Sequence, residues 1–208
     1  MDTLKPEGPV THFLQHAHRK KHPSNATIIN EGDICDTLYY VVEGSVRVVL
    51  EEDDGREIVL AYLNTGDFFG EMGLFSEDEQ RSAKVVARTA CVIAEITYDQ
   101  FRQLNQREPE LMFNLASQLS SRLRRTTQKV VDLAFLDVTG RIARTLIDLA
   151  KEPDAMTHPD GMQLRITRQE IAKIVGCSRE MAGRVLKELE EEGLITAHGK
   201  TVVVFGTR

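Results

Sequence analysis

Apolar and polar positions change their period near Tyr98. Before it, short runs rich in β-branched and aromatic residues alternate with turn residues: TLYYVV (37–42), SVRVVL (45–50) and EIVLAYL (57–63), with further runs at about Ala83–Arg88 and Cys91–Thr97. Gly32, Gly44, Gly55 and Gly66 punctuate this region at intervals of 12, 11 and 11 residues. Short strands spaced this evenly predict an all-β barrel or sandwich, here a double-sheet jelly roll.

After Tyr98 the period becomes helical. Pro109 can open a helix at its first turn. Leu111, Leu115, Leu119 and Leu123 recur every four residues, and Thr126, Val130 and Leu133 continue the stripe as it drifts. A helix over Pro109–Phe135 would be about 40 Å long. Such a stripe packs either on its own barrel or along a coiled-coil dimer seam; the seam is expected. Phe135-Leu136-Asp137 reads as a hinge, with Asp137 capping a helix over Val138–Ala150. Residues 151–161, KEPDAMTHPDG, read as a loop.

Thr167 to Ile195 reads as a helix-turn-helix. Ile171, Ala172, Ile174 and Val175 form an apolar stripe, Gly176 breaks it, and Ser178 is an N-cap for a second helix. Ala172 and Gly176 are small enough for two helices to cross closely. Arg179, Glu180, Arg184 and Lys187 then stand where a recognition helix enters the major groove. There, Arg pairs with guanine and a carboxylate accepts from cytosine. Leu194–Ala197 and Thr201–Phe205 flank His198-Gly199-Lys200 as a hairpin, making the domain a winged helix. Lys200 at its tip either meets phosphate or belongs to a purely structural turn. The class is therefore α+β: a β jelly roll over 1–108, a dimerisation helix over 109–135 and a winged helix-turn-helix domain over 136–208.

The net charge of −6 looks wrong for a DNA binder until it is divided. Residues 137–208 carry 11 basic and 11 acidic side chains, so the acidic excess lies in the first 136. Specific contacts, rather than long-range attraction, must then dominate DNA binding. The chain has no run of about 18 apolar residues and no basic-then-apolar leader, which leads us to expect a cytoplasmic protein. Cys35, Cys91 and Cys177 are scattered and form no CxxC pair, which opposes a disulfide framework or metal cluster. His12, His16, His18 and His22 invite a metal reading, but Pro23 ends the run and no Cys or carboxylate is expected to join them, so no metal is expected. With no P-loop and no nucleophile–base pair, an enzyme is not expected.

The segment 66–87, GDFFGEMGLFSEDEQRSAKVVA, differs from a plain strand pair. Gly66, Gly70 and Gly73 permit close backbone approach. Arg81 with Ser82 supplies a delocalised cation and a hydroxyl for a phosphate, while Glu71 can accept from ribose hydroxyls. The alternative is a simple Glu71–Arg81 ion pair.

These stretches together resemble the cyclic AMP receptor protein family of bacterial cyclic-nucleotide-sensing regulators. The resemblance rests on GSVRVVLEEDDGRE, LNTGDFFGEMGLF, QRSA, TACVIAEI, LAFLDVTGRIARTL, DAMTHPDGMQ, ITRQEIAKIVGCSRE and AHGKTVVVFGTR, and runs nearly end to end. It implies that Gly70 and Glu71 hold the ribose of cAMP and that Arg81 and Ser82 hold its phosphate. Thr126 and Thr127 would face the adenine, one from each subunit. It implies Arg179, Glu180 and Arg184 as readers of a TGTGA-like half-site in double-stranded DNA, with Thr167, Gln169 and Ser178 on the phosphate side. Thr157, His158, Pro159 and Gly161 lie where the family recruits the RNA polymerase alpha subunit. His18, Arg19, Lys20 and Lys21 keep part of a second polymerase patch, although Gln100 replaces a relative's Lys. The acidic stretch Glu51–Asp54 with Glu57 is either a solvated turn or a sigma-factor contact. Lys84 stands where some relatives have Trp. The rivals are the same architecture sensing cyclic di-GMP, whose members depart at the Arg-Ser pair kept here, and a kinase or channel regulatory module, which the helix-turn-helix opposes.

Overall fold

The computed structural model describes residues 8–52, 55–76 and 80–207. Glu77–Glu79 and Asp53–Asp54, the latter part of the acidic turn, lie outside the described residues. The chain divides into two compact units, Met1–Arg125 and Thr126–Arg208.

In the first unit, α1 (Pro9–His16) leads into β1 (His18–His22) and β2 (Thr27–Ile29). The expected runs form β3 (Thr37–Glu43), β4 (Ser45–Glu51) and β5 (Glu57–Asn64). A two-residue β6 (Phe68–Phe69) and a 3-10 turn at Met72–Leu74 follow, then β7 (Lys84–Ala87) and β8 (Cys91–Thr97). Two antiparallel four-stranded sheets result, in the orders β1-β8-β3-β6 and β2-β7-β4-β5.

The near-continuous apolar run of β3 has a direct cause. Its Val41 joins Ile93, Phe69, Val46 and Val85 in the core between the sheets. Its Leu38 faces the other way, with Phe68, Ala94 and Ile96, onto helices. Alternate residues thus meet different layers, and both faces of this sheet are buried. The helices are α1, α2 (Tyr98–Arg107) and the start of α3 (Glu110–Phe135). Phe13 of α1 is 0% exposed and meets the Phe68 ring edge-on at 5.1 Å. Gln100 forms a capping box with Thr97 at the start of α2, so the residue replacing a relative's Lys has a local role.

The expected helix over Pro109–Phe135 is present as α3, but its leucine stripe is divided. Leu111 and Leu115 are 0% exposed and, with Leu119, pack on the chain's own barrel. Leu111 and Leu115 are therefore not seam residues, correcting the expectation for those two. The opposite face stays open: Phe113, Ala116, Ser120, Leu123, Thr127, Val130 and Ala134 recur at alternating three- and four-residue steps and are all exposed. That is a seven-residue repeat.

The histidine run is also corrected. A carboxylate does join it, from far along the chain: His12 Nδ1 lies 2.7 Å from Glu108 Oε1. His16 instead turns to the His12 carbonyl, and His18 and His22 lie on the edge strand β1.

In the second unit, Asp137 caps α4 (Val138–Leu149) by accepting from the Gly140 amide at 2.8 Å. Residues 151–161 contain more than a loop. β9 (Met156–His158) and β10 (Gly161–Arg165) pair as a hairpin, placing the turn at Pro159-Asp160. α5 (Arg168–Val175) and α6 (Arg179–Glu191) form the helix-turn-helix, with Gly176 left-handed at φ 74° and Ser178 Oγ accepting from the Met181 amide. β11 (Ile195–His198) and β12 (Thr201–Phe205) form the wing and complete the sheet β11-β12-β10-β9.

Candidate functional site

In the first unit the site gathers around a buried cation. Arg81 is 6% exposed. Its Nη1 donates to the Gly70 carbonyl at 2.8 Å and to the Tyr98 hydroxyl at 3.1 Å, and its Nη2 donates to the Thr37 carbonyl at 2.7 Å. The guanidinium also stands 5.5 Å from the Tyr39 ring centroid and 5.9 Å from that of Tyr98. Every one of these partners is neutral. Among the described residues, Arg81 makes no ion pair, and the Glu71–Arg81 pair posed as an alternative does not form.

Tyr98 organises this cluster. Its hydroxyl proton goes to the Gly70 carbonyl, so toward Arg81 it accepts, and the Cys35 thiol at 3.0 Å must donate. Burial pushes the Tyr98 phenol well above its ordinary range, against the pull of Arg81. Burial raises Tyr39 as well, again opposed by Arg81. Ser82 is exposed beside Arg81.

Glu71 is 7% exposed, and its partner comes from α3: Arg122 Nη1 stands 3.5 Å from Glu71 Oε1. Arg122 Nη2 reaches the Phe68 carbonyl, Gln118 Oε1 at 3.3 Å and Asp67 Oδ1 at 3.6 Å. The sequence reading missed Tyr98, Gln118 and Arg122. The available signal was the pair of polar residues Gln118 and Arg122, spaced by four and breaking the barrel-facing apolar row just before Thr126.

The three glycines of the segment have different causes. Gly70 has φ 72°, and a Cβ there would stand 2.9 Å from both Arg81 Nη1 and Tyr39 Cδ2. Gly66, at φ 100°, makes a turn with open space around it. Gly73 is corrected: a Cβ would fall 2.5 Å from Cys35 Sγ and 2.9 Å from the Tyr98 ring, so it is small for internal packing rather than for a ligand. Lys84 is occupied by Glu51 at 3.3 Å. Thr126 and Thr127 lie exposed on α3.

In the second unit α6 is cleanly two-faced. Ala182, Val185, Leu186 and Leu189 are buried, while Glu180, Arg184 and Lys187 are exposed on the opposite side, with Arg179 at the N-terminal edge. Lys187 pairs with Glu191 at 3.3 Å. Gln169 is exposed in the first turn of α5. Thr167 caps that helix: it accepts from the Glu170 amide at 3.1 Å and donates to Glu170 Oε2 at 2.8 Å, so its hydroxyl is already committed. Lys200 is exposed at the wing tip, its carbonyl accepting from Ile166 at 2.8 Å.

Thr157 and Pro159 are exposed at the β9–β10 turn, and His158 Nδ1 accepts from the Asp160 amide at 3.3 Å. Gly161 is buried, and a Cβ would fall 2.0 Å from the Val204 carbonyl. It permits the hairpin to pack and offers no surface of its own, a correction to its grouping with the contact residues. His18, Arg19, Lys20 and Lys21 are exposed on the edge strand. No helix among the described residues is long and apolar enough to cross a membrane.

A model described as the cyclic nucleotide-binding domain matches residues 19–108, and one described as the Crp-like helix-turn-helix domain matches residues 140–205. Over 199 residues the chain is 60% identical to the cAMP-activated global transcriptional regulator Vfr of Pseudomonas aeruginosa, spanning 94% of this chain and 93% of that protein. It is also 60% identical over 196 residues to the cAMP-activated global transcriptional regulator CRP of Salmonella typhimurium, with the same coverage. The solved structure of CLP, the c-di-GMP responsive global regulator of Xanthomonas campestris, superposes with a TM-score of 0.89 at 52% identity, covering 96% of this chain and 99% of that one.

Proposed function

The chain belongs to the Crp family of cyclic-nucleotide-binding transcription regulators, and on that premise we propose that cAMP switches a homodimer of it between weak and tight binding of DNA. It is a DNA-binding regulator and not an enzyme. The observation that carries the effector assignment is the buried Arg81, satisfied only by neutral acceptors among the described residues. A buried guanidinium gains most from an anion, because a charge-assisted bond to phosphate is roughly twice as strong as one to a carbonyl. Ser82 adds a hydroxyl, Gly70 and Glu71 take the ribose, and Thr126 and Thr127 take the adenine.

The parts divide the work at residues 108 and 135. Residues 1–108 bind the nucleotide, 109–135 dimerise, and 136–208 read DNA. The exposed seven-residue repeat on α3 supports the dimer. Ligand contacts on the same helix bias its geometry, and the Phe135–Asp137 break presents two recognition helices to half-sites about 34 Å apart. cAMP must bind the DNA-competent state more tightly, or it shifts nothing. Arg179, Glu180 and Arg184 read a TGTGA-like half-site. Gln169, Ser178, Lys187 and Lys200 approach the phosphates, and Thr167 orients α5 there. RNA polymerase meets Thr157, His158 and Pro159 through its alpha subunit and His18 and Lys20 through a second patch. All of this takes place in the cytoplasm.

Calorimetric titration of the full chain with cAMP, cyclic GMP and cyclic di-GMP tests the reading. Micromolar or tighter cAMP binding, lost in Arg81→Leu, supports it. Preference for cyclic di-GMP moves the chain to the other effector and leaves the DNA-binding role standing.

A further inference from the structure

One side chain ties the approach to Gly70 onto the long helix. Gln118 Nε2 donates to the Gly66 carbonyl at 2.8 Å, and its Oε1 accepts from the Phe68 amide at 2.8 Å. A neutral amide carries a donor and an acceptor side by side, as a peptide group does, so one residue closes both flanks of the turn. The neighbouring backbone groups bond elsewhere: the Gly66 amide to the Val41 carbonyl at 2.9 Å, and the Asp67 amide to the Asn64 carbonyl at 3.0 Å. Phe68 itself is 1% exposed, so water cannot readily replace Gln118 there. Gln118 Oε1 also accepts from Arg122, the partner of Glu71. Gln118, Arg122 and Thr126 are spaced by four and share one stripe of α3.

We infer that Gln118 is a positioning residue that registers the Gly66–Phe68 turn on α3 and so couples occupancy of the ribose site at Gly70-Glu71 to the helix. It touches no ligand. A shift of Glu71 toward a bound sugar moves a strand that is bonded to α3 three and five residues earlier, at Phe68 and Gly66, and the helix must follow or the bonds break. The inference rests on the ribose assignment proposed above.

The test uses the full-length chain with cAMP and a TGTGA palindrome. Gln118→Met removes both bonds at nearly equal side-chain length. Gln118→Glu keeps the acceptor for Phe68 and loses the donor to Gly66. Gln118→Met is expected to bind cAMP about tenfold more weakly and, at saturating cAMP, to show about a tenfold smaller gain in operator affinity than wild type. Gln118→Glu loses less, in the same direction. Leu104→Val, a core change in α2, serves as a destabilised control that keeps the wild-type gain. A wild-type gain in Gln118→Met, or an equal loss in Leu104→Val, overturns the inference. Should Gln118→Met fail to fold, Gln118→Glu and hydrogen exchange of the wild-type Phe68 amide decide it: exchange slows on adding cAMP, and unchanged exchange overturns the coupling. Wild type that binds no cAMP overturns the proposed function and this inference with it. Wild type that binds and responds while the Gln118 variants match it overturns this inference alone.

Discussion

Arg122 stands between two carboxylates, 3.5 Å from Glu71 and 3.6 Å from Asp67, so Glu71 depends on Arg122 more than Arg122 depends on Glu71. Neutralising Glu71 leaves the cation with Asp67, whereas removing Arg122 leaves a buried carboxylate without its partner. Arg122→Met should therefore cost about 3 kcal/mol of stability and Glu71→Gln only about 1 kcal/mol. Urea denaturation reads both values, and equal costs would contradict the asymmetry. Both variants should bind cAMP more weakly.

Gly70→Ala should damage ligand binding beyond its backbone cost. A left-handed non-glycine residue costs about 1 kcal/mol, and the new methyl would press on Arg81 Nη1 and the Tyr39 ring. Gly55→Ala is the comparison, because Gly55 has φ 80° and open space around it. Both variants should lose stability, but only Gly70→Ala should lose cAMP affinity, by about tenfold or more. Calorimetry on the pair separates strain from displacement of the guanidinium.

Tyr98, Tyr39 and Tyr40 all have their phenols raised, chiefly by burial. The folded state therefore holds these protons while the unfolded chain releases them at about pH 10. The stability they contribute is complete below that pH and falls as pH rises beyond it. Thermal melts from pH 8 to 11 should show a declining midpoint. Tyr98→Phe should start lower, having lost the bonds to Gly70 and Arg81, but decline less steeply. A parallel decline would mean that Tyr98 is not the group responsible.

The strands β3, β4, β5 and β8 were legible because burial on one or both faces imposes an apolar pattern. The strand HRKKH was not, since β1 is an edge strand with four of its five residues exposed. The two-residue β6 is too short to show any period. Phe13 was invisible for another reason: a single anchor on an eight-residue helix has no repeat. For the site, Gly70, Glu71, Arg81 and Ser82 stood out as chemistry close together in the chain. Tyr98, Gln118 and Arg122 join them only through folding. The leucine stripe misled because two faces of α3 are apolar in overlapping rows, and periodicity alone does not say which row the barrel takes.

The open row gives a direct prediction about assembly. Val130 is 61% exposed on α3 and lies on the seven-residue repeat, away from the barrel-facing row of Leu111 and Leu115. Val130→Glu should leave the fold of each chain intact and place two like charges across the seam. Light scattering after gel filtration should then show monomer at concentrations where the wild type is dimeric. An unchanged dimer would move the seam off this face.

On the proposed reading Glu180 of α6 reads bases while Thr167 at the start of α5 supports the fold, and the two should fail differently. Glu180 is exposed in the first turn of α6, on the face opposite Ala182 and Val185, where a carboxylate at the helix N-terminus contributes only about 0.5 kcal/mol. Glu180→Ala should therefore keep stability to within that amount and flatten discrimination at one base pair of the half-site, a loss of about 1–3 kcal/mol of preference. Thr167 differs because its hydroxyl is held in the capping box with Glu170. Thr167→Ala should cost about 1 kcal/mol of stability and weaken binding to all sequences alike, while Thr167→Ser, which keeps the cap, should restore both. If Thr167→Ser restores stability but not DNA affinity, the threonine methyl meets the duplex and its role exceeds capping. Competition binding with single-base operator variants, run beside thermal melts, distinguishes these outcomes.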